Sequence, residues 1–556
     1  MPKRCICFAL LTALLLPLSA CNEYLPPLDS DAEATSSPLL DSDKEPARYL
    51  PLDSGDVRVT EDHSGELLTR DYIDANGVRI TMQRLLCEQA DTPYTFYQEE
   101  LPADAVLRLY DPEAEEWIAM LPTEGIYGSN TAVLELPDGS MRFFCLPLTF
   151  TAREDEVLEF HPELAGQLII RKTQDGCSLA VSGLRSSDCC FVDFTMLLSP
   201  MLTLDWSGDN WAKIWSRYTD SGESLMCFSG YYRFTPYNYS TTGENCYYRC
   251  PAAFLARAIR WEIGKSDSAP LVTAAILDTA MLLQNDLGYF PTSPASGWLA
   301  ADYGIGRGFY DTRFNTDLLE LLLDFRARCG KTLFQEQIDR YMAFYMSFAA
   351  AHHTETENGG WLVADYWSPD MTAEPHTSLN HLIAECQQLY RLEDDCGDAR
   401  YGELADRLLL AVEDTGAGWV KDNHDLHYCR YTDGSYGAQD YPDLTYKDLT
   451  LLQLYLQEYR NRTSPTLDYL IREKAAWMDA NGVKCCICCS AGDKTQCDAW
   501  CKAKKHGETG SYPKITSFGN AVSLYKCSEH LPCHPERSGA AAQSKDLMCR
   551  TSSLSS

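Results

Sequence analysis

Basic charge is scarce in this chain. Its 556 residues hold 47 Lys and Arg against 80 Asp and Glu, a formal charge of −33. A surface this acidic repels nucleic acid and anionic lipid, so neither is expected as a partner. Ten basic and six acidic residues follow Val483, which makes that tail +4 and leaves residues 1–483 at −37. Long apolar runs are lacking too. Beyond the N-terminus no stretch approaches the roughly 20 apolar residues that a spanning helix needs. No G-x-S-x-G, Walker loop, dinucleotide fingerprint or H-E-x-x-H stands in the sequence, so neither cofactor nor metal is expected.

The N-terminus carries an address. Lys3 and Arg4 precede the apolar run Cys5 to Leu18, which ends in Leu18-Ser19-Ala20-Cys21. This reads as a bacterial lipoprotein signal over residues 1–20, with Cys21 diacylated and the protein held on a membrane, facing away from the cytoplasm. The alternative is an ordinary signal peptide cut near Ala20. Residues 21–57, rich in Pro, Ser and Asp, read as a polar tether.

Cysteine is plentiful, with 24 residues. Outside the cytoplasm disulfides are permitted. Cys246 with Cys250, or Cys386 with Cys396, are candidate pairs, whereas Cys189-Cys190 suggests a buried thiol. Nine cysteines crowd into 484–556, where Cys485, Cys486, Cys488, Cys489, Cys497 and Cys501 have spacings that could hold zinc. The same tail contains His534-Pro535-Glu536-Arg537-Ser538, which reads as translated intergenic repeat, and a read-through segment is the expectation for it.

Residues 58–204 alternate apolar and polar positions around turn signals. Val133 to Leu136 and Met141 to Phe144 flank Pro137-Asp138-Gly139, and Leu168 to Arg171 and Leu179 to Val181 flank Asp175-Gly176. Asp-Gly between alternating runs predicts hairpins, hence an antiparallel β domain. From 205 the period becomes helical, beginning with the stripe Trp206, Trp211, Ile214, Trp215 and Tyr218. Helices are predicted near 251–264, 271–286, 314–329, 333–353, 377–392, 399–414, 445–461 and 465–479. Paired through aromatic loops, they predict an α/α toroid over 205–483, so the fold class is α+β and multidomain.

One phrase recurs. Gly297-Trp298-Leu299-Ala300-Ala301-Asp302-Tyr303 returns as Gly360-Trp361-Leu362-Val363-Ala364-Asp365-Tyr366, then in part as Gly418-Trp419-Val420-Lys421-Asp422. Repetition about every 60 residues marks helical-hairpin architecture. Trp298, Trp361 and Trp419 at one rim would stack on sugar rings, with Tyr303 and Tyr366 beside them. Asp302, Asp365 and Asp422 would bind hydroxyls or serve as paired carboxylates. The bland alternative is that each Trp plugs its own hairpin and each Asp caps a helix. Arg313 and Asn315, at a helix start, would hold a carboxylate, or belong simply to a start capped by Asp311 or Thr312. His376 and His381 read as structural. His424 and His427 share a polar loop with Lys421, Tyr428, Arg430, Tyr431, Tyr436 and Tyr441, which suits proton transfer.

Residues 250–480 resemble the C-terminal domain of the D-glucuronyl C5-epimerases. The likeness rests on His376-Thr377-Ser378-Leu379-Asn380-His381, on Thr415-Gly416-Ala417-Gly418, and on Asp440-Tyr441 ahead of Leu451-Leu452. It implies an α/α toroid acting on a uronic-acid polysaccharide by proton removal next to the carboxylate. It also implies tyrosine acid/bases, of which Tyr441 matches one. Lys421 stands where the family has a second, and Glu374-Pro375 lacks the third. The expected site is therefore Tyr441 and His424 as acid/bases, with Lys421, Arg430 and Arg313 holding the anion. Two further classes stay open: a non-catalytic glycan-binding or envelope scaffold protein, and a glycoside hydrolase or lyase using Asp302 and Asp365. Nothing in the sequence fixes the oligomeric state.

Overall fold

The computed structural model describes residues 46–483, apart from 88–92, 112–113, 115, 129–130, 175, 187–188, 201–223, 261–262, 265 and 331. The signal segment, Cys21, the stripe from Trp206 to Tyr218 and the tail 484–556 lie outside the described residues. Antiparallel pairing begins inside the segment expected to be tether. Arg48–Leu50 is a strand on the edge of Val57–Ser64, with Leu50 opposite Val57. The larger sheet continues through Leu67–Ile73, Arg79–Leu86, Phe191–Ser199, Met141–Ala152 and Leu158–Phe160. It then takes in Cys246–Arg249, Gly230–Phe234 and Ser224–Cys227, so the sheet runs past the change of period at residue 205. The hairpins foreseen at Asp-Gly form, with Glu135 opposite Met141 and Lys172 opposite Cys177.

A four-stranded sheet, Pro93–Leu101, Cys177–Leu184, Gln167–Lys172 and Gly125–Tyr127, covers one face of the larger one. Between them Phe144, Leu146, Leu168, Ile170, Phe194 and Met196 form a closed core. Phe143, Val59, Ile80 and Leu197 point the other way and pack among helical residues. With both faces covered, strand Met141–Ala152 is buried over ten consecutive positions, unlike a half-exposed strand. Each fully buried Leu or Phe contributes about 1.5–3 kcal/mol.

Among the described residues the helices are α1 (Phe254–Ile259), α2 (Ala269–Met281), α3 (Gly297–Tyr303), α4 (Thr312–Cys329), α5 (Gln335–Ala351), α6 (Leu379–Cys396), α7 (Ala399–Thr415), α8 (Leu444–Tyr459) and α9 (Pro465–Ala480). Of these, α3 escaped the helical period. Helix α2 is buried on every side because it lies between the sheet and α4. Arg48 Nε and Tyr72 Oη reach its Asp278 at 3.1 and 2.8 Å and clasp sheet to helix. Helices α4, α6 and α8 pack successively as an inner layer, and α7 and α9 back α6 and α8 from outside. Asp311 caps α4 by accepting from Phe314 N (3.0 Å), and Ser464 caps α9 ahead of Pro465.

Among the described residues all twelve cysteines are thiols. Cys386 and Cys396 lie on one helix, ten residues and so about 15 Å apart. Cys246 and Cys250 bound one extended strand, about 13 Å apart. Both separations exceed the roughly 7 Å that a disulfide can bridge, so neither candidate pair forms. Among the described residues no helix is long and apolar enough to cross a membrane.

Candidate functional site

The inner helices bury charge at their N-terminal ends. Arg313 Nη1 donates to Asp448 Oδ2 (2.6 Å) and to the Asn380 carbonyl (3.1 Å), and its Nε donates to Asp317 (3.0 Å). One arginine thus ties α4, α6 and α8 together. At 5 % exposure and fully engaged, it is no anion receptor. Asn315 likewise serves structure, its amide bridging the Phe290 backbone at 2.8 and 2.9 Å.

Beside this knot lies the richest constellation of titratable groups. Tyr303, the last residue of α3, is turned inward by the left-handed Gly304 that ends the helix. Its hydroxyl meets His376 Nδ1 at 2.8 Å. His376 Nε2 faces Asp365 Oδ2 at 3.4 Å, long for a hydrogen bond but within ion-pair range. Asp365 accepts from Ser378 N (2.8 Å) and from Ser378 Oγ, and His381 Nδ1 stands 3.6 Å away on its other side. Backbone bonds lock this geometry, with Thr312 N donating to the Asp365 carbonyl and Asp365 N to the His376 carbonyl. The Thr312 hydroxyl meets His381 at 2.9 Å and also supports Glu385, which accepts from Tyr345 at 2.6 Å. Glu385 and Tyr345 line a small internal cavity together with Thr316 and Tyr341.

Burial sets the protonation states. It pushes the Glu385 carboxyl up to about 7, against the hydrogen bonds from Tyr345 and Thr312. It pushes the His381 imidazole down to about 4, against the pull of Asp365, so this ring is neutral at physiological pH. Burial also works against the Asp365 carboxylate, but the two histidines and Ser378 outweigh it and hold the group below the usual range. The Tyr303 phenol is raised by burial, reinforced by Tyr431, Cys429, Asp302 and Asp365.

Aromatic rings wall the site. Trp298 stacks on His376 with centroids 5.9 Å apart and 21° between planes, and meets Tyr303 and Tyr366 edge-on. Tyr428 and Tyr431 present edges to His376 at 5.8 and 5.9 Å. Trp298 is half-buried, Tyr431 is 38 % exposed and Asp302 is exposed, so this wall reaches solvent.

The expected site residues divide accordingly. Trp298, Tyr303, Asp365 and Tyr366 gather around His376, with Asp302 at the edge. Tyr441 is buried (4 %) in a small cluster with Tyr428 and Cys429, one ring removed from His376. His424 is exposed and hydrogen-bonded to Glu473 at 2.6 Å. Lys421 lies 3.7 Å from Asp425, which Lys474 also engages at 2.6 Å. Burial lowers the Lys421 pKa, with Asp425 and Asp440 opposing. Arg430 stands over the Tyr436 ring, in register with Thr377 next to His376. Trp361 stacks on His353 (4.0 Å) and has Arg407 over its ring (4.6 Å), and Trp419 is wholly buried. The three tryptophans of the phrase therefore have different surroundings. The three copies fold as a helix, a strand and a 3-10 turn.

His376, His381 and Glu385 were not foreseen as site residues, and Tyr431 was foreseen only as a member of the polar loop around His424. The available signal was the run from His376 to His381, whose two rings fall on either side of one carboxylate only once Asp365 is folded against it. Among the described residues no cluster of three or more candidate ligands could hold a metal ion.

No protein-family model and no curated protein sequence matches this chain. Among solved structures it is similar to a D-mannose isomerase, with 12% identity, TM-score 0.34, and coverage of 49% of this chain and 69% of that one. It is similar to a family 76 glycoside hydrolase from a bovine Bacteroides thetaiotaomicron strain, with 9% identity, TM-score 0.32, and coverage of 77% and 78%. It is also similar to cellobiose 2-epimerase from Spirochaeta thermophila DSM 6192, with 12% identity, TM-score 0.31, and coverage of 42% and 61%. No residue role is carried over from these likenesses.

Proposed function

We propose that this protein is a carbohydrate-acting enzyme whose helical hairpins form an α/α toroid, held on the outer face of a membrane by a lipid on Cys21. Its ligand is an extracellular polysaccharide containing uronic acid, and its chemistry is proton transfer at the ring carbon next to the carboxylate. The observation that carries this reading is the chain Tyr303, His376, Asp365 behind a wall of Trp298 and Tyr431 that reaches solvent.

The roles follow from the protonation states. Tyr303 starts protonated, because burial disfavours its phenolate. As its oxygen takes the proton from the sugar C–H, its own proton passes to His376 Nδ1, 2.8 Å away. Asp365, kept ionised, stabilises the imidazolium. The electron pair left on carbon delocalises into the carboxylate, and Arg430, on the strand paired with Thr377, is the cation assigned to meet it. Return of the proton from the other face inverts the centre. Arg313 and Lys421 take no part, since buried carboxylates already engage them.

The test is exchange of solvent deuterium into a glucuronic-acid oligosaccharide, followed by proton NMR, with a neutral glucan of equal length as control. Exchange that survives Tyr303→Phe would remove the assignment. One observation favours a second reading, that of a non-catalytic glycan receptor: Tyr303 is 8 % and His376 4 % exposed. Saturable binding without exchange would select it. The hydrolase reading is disfavoured because the Asp365 carboxylate is 1 % exposed and fully engaged by Ser378 and the histidines.

A further inference from the structure

The fold rejects both cysteine pairs that spacing suggested, yet it brings another pair together. Strand Arg79–Leu86 runs antiparallel to Phe191–Ser199, and the last pair of that ladder is Leu86 opposite Phe191. One step further, Cys87 falls opposite Cys190. The ladder continues there, because Cys87 N donates to the Cys190 carbonyl at 3.0 Å. The return bond is absent, as Cys190 N donates instead to Phe150 O on the neighbouring strand. Directly opposed residues of a hydrogen-bonded antiparallel pair have Cα atoms about 5.5 Å apart. Disulfides span about 4.4–6.8 Å, and Cys87 and Cys190, which share one of the two bonds of such a pair, fall near that range.

The surroundings separate the three clustered thiols. Cys190 is exposed and Cys87 half-buried, while Cys189 is 5 % exposed. The Cys190 sulfur accepts the exposed Ala152 N–H at 3.3 Å, a weak bond that disulfide formation would replace. We propose that Cys87 and Cys190 form a cross-strand disulfide when the protein is exported, closing the edge where both strands end. This rests on the export reading for the oxidant and not on the carbohydrate reading. The step is a thiol–disulfide exchange. One thiolate attacks the disulfide of a protein thiol oxidase or of oxidised glutathione, and the second thiolate displaces the mixed disulfide. Two thiol protons are released, the Cys87–Cys190 bond forms, and the oxidant's sulfurs leave as two reduced thiols.

Incubating the full chain with oxidised glutathione, alkylating the remaining thiols and mapping peptides without reductant tests this. The expected result is a peptide pair joined through Cys87 and Cys190, short by two hydrogens, in the wild type and in Cys189→Ser. It disappears in Cys190→Ser. A link from Cys87 to Cys189, or complete alkylation of Cys87 and Cys190 in the natively folded, oxidant-treated chain, overturns the assignment. Folding of each variant is checked by circular dichroism, and Cys190→Ala serves in place of Cys190→Ser if the latter fails to fold.

Discussion

The Tyr303 hydroxyl lies 2.8 Å from His376 Nδ1, across 73 positions of sequence. Neither residue approaches the other through its own element. Helix α3 ends at Tyr303 with a left-handed glycine, and His376 sits ahead of α6, in a backbone that hydrogen-bonds to Asp365. The contact is therefore a product of tertiary packing, and it can be cut without disturbing either element. Tyr303→Phe keeps the ring against Trp298 and removes only the hydroxyl. Its expected cost in stability is about 1 kcal/mol. Loss of the acid/base should lower turnover by about 10²–10⁴. Deuterium exchange together with thermal unfolding checks both halves of this prediction.

Glu385 gives the fold a pH dependence of known sign. Folded, it keeps its proton up to about pH 7, whereas its ordinary value is 4.5. Between those values the native state binds more protons than the unfolded chain, so stability is present below 4.5 and is lost as pH rises through 7. His381 acts oppositely. Its folded value of about 4 against 6.5 gives stability that is present above 6.5 and lost as pH falls toward 4. Glu385→Gln removes the first slope and leaves the second. Relative to wild type, the variant should gain about 2–3 kcal/mol between pH 5 and pH 8 in urea unfolding. A difference independent of pH would show that the carboxyl is not held protonated.

Lys474 shows what the third copy of the repeated phrase is built on. Fully buried, its ammonium reaches Asp425 Oδ1 at 2.6 Å and Asp440 Oδ2 at 2.7 Å, and lies 4.4 Å over the Trp477 ring. Burial raises the Asp440 carboxyl, with Lys474 opposing. Lys474→Met leaves Asp440 buried without its cation and Asp425 with the more distant Lys421, and should cost about 3–5 kcal/mol. Adding Asp425→Asn and Asp440→Asn should restore most of it, because the neutral groups no longer require a counter-charge. Chemical denaturation of the wild type, the single variant and the triple variant measures this.

Much of the architecture was legible in the sequence because periodicity and turn chemistry are local signals. The hairpin at Asp138-Gly139 and helices α4 to α9 are decided by residues within a few positions of each other. The site was less legible, because its groups come from α3, the loop around Asp365 and the start of α6. The repeated phrase misled for a related reason. In its second copy a Cβ on Gly360 would lie 2.3 Å from Ala411 N, and in its third a Cβ on Gly418 would lie 2.4 Å from Tyr436 Oη. These glycines permit close packing, and each tryptophan then fills whatever space its own hairpin leaves. The strands at 224–249 escaped notice because the sheet they join lies mostly before residue 200.

Of the three tryptophans of the repeated phrase, Trp298 and Trp361 are half-buried and Trp419 is wholly buried, and it is Trp298 that stacks on His376. Trp361 stacks on His353 and has Arg407 over its ring. Trp419 has no exposed surface, and its Nε1 donates to Thr415 Oγ1 at 2.9 Å. Trp298 is half-buried against His376 and stands next to the exposed Asp302 and Tyr431. Trp298→Ala should therefore weaken binding of a glucuronic-acid oligosaccharide about tenfold, roughly 1.4 kcal/mol, with little change in unfolding. Trp419→Ala should leave the Kd unchanged and cost about 3–5 kcal/mol of stability. Calorimetric titration and urea unfolding of both variants distinguish the two. An equal loss of affinity in Trp361→Ala would mean that the copies act together as a sugar-binding surface, against the separate surroundings in which they fold.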